Sequence, residues 1–286
     1  MLSAFRLMKI NLYKHLGTVN FWVPFALTIA AIYEFTSPLK TMAAYYSLPV
    51  NGFSAAFIMV ETNTVFIIFI GVFIMFSDLP FKDNQQMFLI SRSGKRVWIF
   101  SQVMYVVLVS IMYATFIFIC FCVVLFPNLG FDTESWGKII KTIAATNAAQ
   151  VFELRFSVPQ SVLSDFSPID GFIYTFATVL IISVVLGLIV LLFNLTIKHS
   201  SGVIASGAAV FMYMFVYMNP SNIMYYFSPL NWCSIFIADK NGVSAYPDVS
   251  WIITVLCIWF ALEVIALFVY GSKRIKFVLD TKEDIR

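Results

Sequence analysis

The stretch Val97–Phe126 reads VWIFSQVMYVVLVSIMYATFIFICFCVVLF and contains no Asp, Glu, Lys or Arg. About 20 apolar residues in an α-helix cross the hydrocarbon core of a bilayer. This run exceeds that length and can tilt or project beyond the bilayer. The composition around it agrees. Of 286 residues, 60% are hydrophobic, 17% aromatic and 12% charged, against roughly 25% charged in soluble domains. A soluble globule of this size could not hide so much apolar surface behind so few charges. The same figures exclude a disordered chain, a coiled coil and a secreted disulfide scaffold. The sequence therefore predicts an all-α integral membrane protein, a single transmembrane domain over residues 1–286.

Five further runs surround this one. Thr18–Phe35 comes first, with Pro24 inside it, which neighbouring helices tolerate. Phe53–Phe76 is second and is interrupted by Glu61-Thr62-Asn63-Thr64. Phe172–Ile197 is charge-free, and Gly202–Met218 is barely long enough to span. Asn219-Pro220-Ser221-Asn222 then cuts the chain, and Ile223–Ala238 is cut again at Ser228-Pro229. That piece reads as a re-entrant or interfacial hairpin packed against protein, within an extracellular segment 219–250. Trp251–Gly271 is the last span.

The distribution of Lys and Arg decides the count, because cytoplasmic loops collect them. Six spans with both termini cytoplasmic leave only Lys40, Lys138, Lys141, Arg155 and Lys240 outside, and the other thirteen inside. A seventh span over Ile223–Ala238 would move Lys273, Arg274 and Lys276 outside. Arg6, Lys9 and Lys14 ahead of the first run look superficially like a secretory signal. No small-residue cleavage site closes that run, so an uncleaved span is expected.

The segments between spans have their own patterns. In Leu2–Leu16, Phe5, Met8, Leu12 and Leu16 form one helical stripe with Arg6 and Lys14 away from it. This predicts an interfacial helix lying on the cytoplasmic leaflet. Residues 77–96, SDLPFKDNQQMFLISRSGKR, form the longest cytoplasmic connection. Asp83 or Asn84 can cap a short helix that displays Gln85, Gln86, Met87, Phe88 and Leu89 and runs to Arg92. Ser93-Gly94 ends it, and Lys95 and Arg96 anchor the next span. A solvated loop has no need of Met-Phe-Leu-Ile beside cations, so this patch is expected to dock on a partner protein or dip into the interface. Outside, residues 127–171 hold Trp136, Ile139, Ile140, Ile143 and Val151 at helical spacing after an Asp132-Thr133 cap signal. An amphipathic helix over the outer mouth is expected there.

Marks of catalysis are missing. The chain has no G-x-x-x-x-G-K-[ST] phosphate loop, no H-E-x-x-H and no G-x-S-x-G, and its only histidines are His15 and His199. Cys120, Cys122, Cys233 and Cys257 have neither zinc-finger nor redox spacing. The net charge of +3 is too small and too spread for nucleic-acid binding. No catalytic or metal-binding residue is assigned. Three carboxylates lie within apolar runs: Glu34, Glu61 and Glu263. Glu34 falls near the outer end of the first span, within reach of headgroups. Burying a charge in lipid costs at least a few kcal/mol, so Glu61 and Glu263 should face protein or a water-filled cavity. They are candidates for a translocation path, with Asn63 beside Glu61. A packing role is the alternative.

The layout resembles membrane subunits of ABC exporters of the second permease type, the ABC-2 superfamily. The resemblance covers nearly the whole chain through Leu2–Leu16, Ser77–Arg96 and Asn219–Ala238. The phrases Phe88–Trp98 (FLISRSGKRVW) and Phe227–Trp232 (FSPLNW) are similar to the family's bacterial peptide-exporter branch. The external segment between spans three and four is longer than in minimal members.

The resemblance implies a bacterial plasma-membrane permease that binds no cofactor itself. ATP and Mg would be held by a dimer of cytoplasmic ABC ATPase subunits. It also implies a second permease copy or a related permease as partner. In that arrangement Asp83–Arg92 would be the ATPase-coupling helix, and Glu61 and Gly202–Met218 would lie toward the permease–permease interface. Small residues from Gly202 to Ala209 suit close helix packing there. The expected cargo is an amphipathic or antimicrobial peptide, for secretion or self-protection. A polysaccharide, lipid or drug substrate stays open, as does a stand-alone immunity or receptor-like protein.

Overall fold

The computed structural model describes residues 2–81, 86–197, 201–242, 244–271 and 273. Among the described residues the structure is all-α apart from one two-residue strand pair and an isolated bridge between Asp239 and Asp248. Helix α1 (Leu2–Leu16) leads through a short turn into α2 (Val19–Tyr46), which holds Pro24 and Pro38 internally. The first apolar run ends at Phe35, yet the helix continues for three more turns. Ser37-Pro38-Leu39-Lys40 does not stop it, because Leu39, Met42 and Ala43 are buried.

Strand β1 (Val50–Asn51) follows and pairs in parallel with β2 (Leu129–Gly130). The Asn51 amide fixes this pairing by donating to the carbonyls of Asp132 (2.7 Å) and Ser135 (2.8 Å). A 3-10 turn at Gly52–Ser54 then leads into α3 (Ala55–Met59) and α4 (Thr62–Phe76), which meet at an angle of 81°. The apolar run Phe53–Phe76 is thus a sharply bent pair. The bend falls at the polar interruption because Glu61 has an extended backbone and caps α4. Its Oε2 accepts from the backbone N–H of Asn63 (2.9 Å) and Thr64 (3.0 Å).

Helix α5 (Gln86–Ser93) is separated from α6 (Lys95–Leu125) by Gly94 alone. Gly94 has φ +85° and ψ 148°, a backbone region that only glycine enters freely. On the opposite side of the molecule lie α7 (Gly137–Ala145), α8 (Ala148–Val151) and α9 (Gln160–Asp165). Trp136, Ile139, Ile140 and Ile143 are buried beneath α7. Two expectations fail here. Asp132 Oδ1 accepts from Glu134 and Ser135 in a turn of its own instead of capping the helix, which starts at Gly137. Val151 is exposed, because the helix breaks at Thr146 and the register is lost.

Helix α10 (Pro168–Thr196) is capped by Ser167, whose hydroxyl accepts from the Asp170 N–H at 3.2 Å. It is the most enclosed of the long helices and packs against α4, α6, α11 (Ser201–Met218) and α13 (Val249–Ala266). A π-helical turn, Leu267–Gly271, extends α13. Between α11 and α13 the chain forms α12 (Asn222–Tyr225) and a 3-10 turn, Pro229–Cys233. That turn is buried against α10 and α11, with the Tyr174 hydroxyl donating to the Trp232 carbonyl at 2.5 Å.

Among the described residues five helices are long and apolar enough to cross a membrane: α2, α6, α10, α11 and α13 with its π-turn. The bent α3–α4 pair makes up to six if it counts as one span. An all-α chain with these helices is compatible with a membrane protein. Helix α1 packs on α6 through Ala4, Leu7, Met8, Asn11 and His15. Phe5 is exposed, so the buried stripe is rotated from the one the apolar residues suggest. The reason is polar: Asn11 and His15 go inside.

Candidate functional site

The α1–α5 end of the bundle holds several polar contacts between distant segments. Its centre is the turn Ser77–Phe81, which leads from α4 toward α5. Asp78 accepts from the Asn20 amide at 2.7 Å, which ties the turn to the start of α2. Phe81 packs its ring against His15 and Tyr105, with centroids 5.1 and 5.6 Å away. Leu79 is fully buried, and its carbonyl accepts from the Asn194 side chain at 2.6 Å. Residues of α1, α2, α6 and α10 thus meet one five-residue segment.

His15 is completely buried, and its Nδ1 shares a hydrogen bond with the Tyr105 hydroxyl. Burial lowers its pKa from 6.5 to about 4, partly opposed by the charge of Asp78. The other ring nitrogen, Nε2, and the amide nitrogen of nearby Asn11 have no protein partner. Buried polar atoms in that condition are places for ordered water. None of His15, Asn20, Asp78, Tyr105 and Asn194 stood out in the sequence, because their partners lie 58 to 115 residues away.

Beside this junction, α5 presents Phe88 to solvent with 78% of its surface exposed, while Ile90 faces α6. Leu89 is half-buried and Arg92 exposed. Hydroxyls of Ser91 and Ser93 donate back to the carbonyls of Phe88 (3.0 Å) and Leu89 (2.5 Å), closing the last turn. Asp83, Asn84 and Gln85 lie outside the described residues, and Gln86 and Met87 form the first turn of α5. The cap expected at Asp83 or Asn84 therefore also lies outside them.

The carboxylates are dispersed. Glu61 is half-buried as the cap of α4, and Asn63 is exposed and donates to Glu61 Oε1 at 3.2 Å. Tyr213 of α11 donates to the Thr62 carbonyl at 3.1 Å, which brings α11 against the bend. Glu263 sits on α13 with 5% of its surface exposed, its carboxyl close to the Trp259 side chain one turn earlier. Among the described residues no hydrogen bond joins Glu263 to Glu61 or Asn63. Glu34 is exposed and pairs with Arg155 of the opposite face, linking α2 to the loop after α8.

Surface cavities among the described residues include the following two. One, of about 280 Å³, opens beside β1 and β2 and is lined by Asn51, Phe131, Asp132 and Lys138 among others. The second, of about 420 Å³, is an apolar groove along α6 at Phe118, Cys122 and Phe126. Neither touches Glu61, Asn63 or Glu263. Among the described residues no three His, Cys, Asp or Glu side chains are grouped to hold a metal ion. Comparison with protein families, with curated proteins and with solved structures gives no match for this chain.

Proposed function

We propose that this chain is the membrane subunit of an ATP-driven exporter of the ABC-2 type, with six spans and both termini in the bacterial cytoplasm. The bent α3–α4 pair is then the second span. The α1–α5 end faces the cytoplasm, where α1 lies on the leaflet with Arg6, Lys9, Phe5 and Tyr13 outward. The residues between α11 and α13 form the re-entrant segment. The observation that carries the reading is α5. It is a short helix isolated by Gly94, set against the bundle through Ile90, with Phe88 left bare beside cations. In this reading Phe88 is the anchor that an ATPase would cover, an aromatic of the kind that dominates binding energy at interfaces.

On this reading a separate ATPase dimer binds α5 and supplies hydrolysis with ATP and Mg. Closure of that dimer displaces α5, and the spans follow as a two-state element biased by nucleotide. The path opens at the contact with a second permease, a copy or a relative, for which α11 offers a largely uncovered surface. An amphipathic or antimicrobial peptide is the proposed cargo, for secretion or immunity. Glu61 and Asn63 lie at the α4–α11 contact and are proposed to line the path, whereas Glu263 belongs to the α10–α13 seam.

Phe88→Glu is the test. It should abolish co-purification of the ATPase, more than tenfold by quantitative mass spectrometry, while the variant inserts and purifies normally. Wild-type recovery of the ATPase with Phe88→Glu would remove α5 from the coupling role.

A further inference from the structure

A single side chain, Asn194, joins the turn that leads to α5 with the start of α11. It stands in the last turn of α10 and is 6% exposed. Its Nδ2 donates to the Leu79 carbonyl at 2.6 Å and reaches the Ser77 carbonyl at 3.5 Å. Its Oδ1 accepts from the Gly202 backbone N–H at 2.9 Å. One amide thus satisfies backbone acceptors just past the end of α4 and one of the unpaired donors in the first turn of α11, groups that helix termini always leave open.

The surroundings make this connection stiff. Leu79 is fully buried. The Ser201 hydroxyl donates to the Phe193 carbonyl at 2.8 Å, which holds the same first turn of α11 to α10. Gly202 lies against the Val190 backbone so closely that a Cβ would overlap it. At its other end, α11 reaches the top of α4 through Tyr213 and Thr62. Helix α11 is therefore tied to α4 near both ends, and the lower tie runs through Asn194. A backbone carbonyl held by a buried amide costs about 1–3 kcal/mol to abandon, so a shift of the turn pulls its partner along.

We propose that Asn194 is a positioning residue for transmission: displacement of α5 moves the Ser77–Phe81 turn, and the Asn194 amide passes that movement to α11. This rests on the exporter reading, in which α5 receives the force and α11 borders the path. It goes beyond that reading by naming the connection between them. A plain staple would hold α11 in place without conveying a nucleotide-dependent change, so the two roles separate by experiment.

The experiment is hydrogen–deuterium exchange on the complex of the full chain with its ATPase, purified in detergent, with and without Mg·ATP. In the wild-type complex, exchange should change in peptides covering both 86–93 and 201–210. In Asn194→Leu the response at 86–93 should persist and the response at 201–210 should be lost. Asn194→Asp keeps an acceptor for the Gly202 N–H but cannot donate to Leu79. It should lose the α11 response as well, and it decides the matter if the Leu variant does not fold. A wild-type-sized response at 201–210 in either variant would overturn the proposal, as would a wild-type complex in which only 86–93 responds. Failure to recover any ATPase would overturn the exporter reading and this proposal together.

Discussion

Substituting Gly202 brings a methyl group into the backbone of Val190, which cannot yield as a flexible side chain could. Gly202→Ala should cost about 1–3 kcal/mol, the usual penalty of overpacking, and lower the melting temperature of the protein in detergent. Gly207→Ala is the control, since its Cβ would meet only the Phe73 ring at 3.7 Å. It should be neutral or slightly stabilising. Equal melting temperatures for the two variants would mean that α10 and α11 are not in close contact at Gly202. His15 gives a pH dependence whose sign follows from its burial. Its folded pKa of about 4 lies below the ordinary 6.5. Between those values the unfolded chain takes up a proton that the folded chain refuses. Stability is therefore full above about pH 6.5 and declines as pH falls toward about 4. Thermal unfolding at pH 7 and pH 5 should show this loss in the wild type and a smaller one in His15→Gln. An identical loss in both would assign the effect elsewhere. Neither the partner of Gly202 nor that of His15 was legible in the sequence. Gly202 is expected from the sequence to pack closely at the contact with a second permease, and its close contact is with Val190 of α10. His15 carries no expectation from the sequence beyond being one of two histidines.

At the scale of elements, run length and hydropathy were legible and direction was not. Apolar stretches announce helices because lipid or core burial demands internally satisfied backbone over a fixed length. The polar interruption Glu61–Thr64 showed where the second run breaks, but an 81° bend depends on how α3 packs beneath the outer helices. The α1 stripe was misjudged for a related reason. Periodicity of apolar residues cannot foresee that Asn11 and His15 turn inward to meet α6. Helix α2 outran its apolar run because burial of Leu39 and Met42 outweighs the local propensity of Ser37-Pro38. Gly94 gives this scale its own prediction. With φ +85° and ψ 148°, any side chain there is strained by about 1–3 kcal/mol. Gly94→Ala should therefore raise amide exchange across Gln86–Ser93 while leaving the middle of α6 protected. Unchanged exchange in α5 would show that Gly94 does not set the angle between the two helices.

The molecule as a whole has a crowded polar end at α1 and α5, further polar contacts around β1 and α7, and long apolar flanks. Helices α11 and α13 leave most of their surface uncovered, with Phe211, Phe215, Ile258 and Leu262 exposed. In a bilayer such faces meet lipid or another membrane helix without the cost they would incur in water. The crowded end brings the Ser77–Phe81 turn, α1 and the start of α11 within reach of one another, a few residues from the bare ring of Phe88. How Glu61 and Glu263 stand to one another was not legible in the sequence, because Glu61 caps α4 beside α11 and Glu263 is buried on α13, placements that only the fold gives. The central claim is that this chain works with a separate ATPase. The direct measurement is a detergent pull-down of the tagged chain from its native membrane, with mass spectrometry of what accompanies it. The account predicts stoichiometric recovery of an ATPase bearing a phosphate loop. Repeated recovery of the intact chain with no ATPase would contradict it.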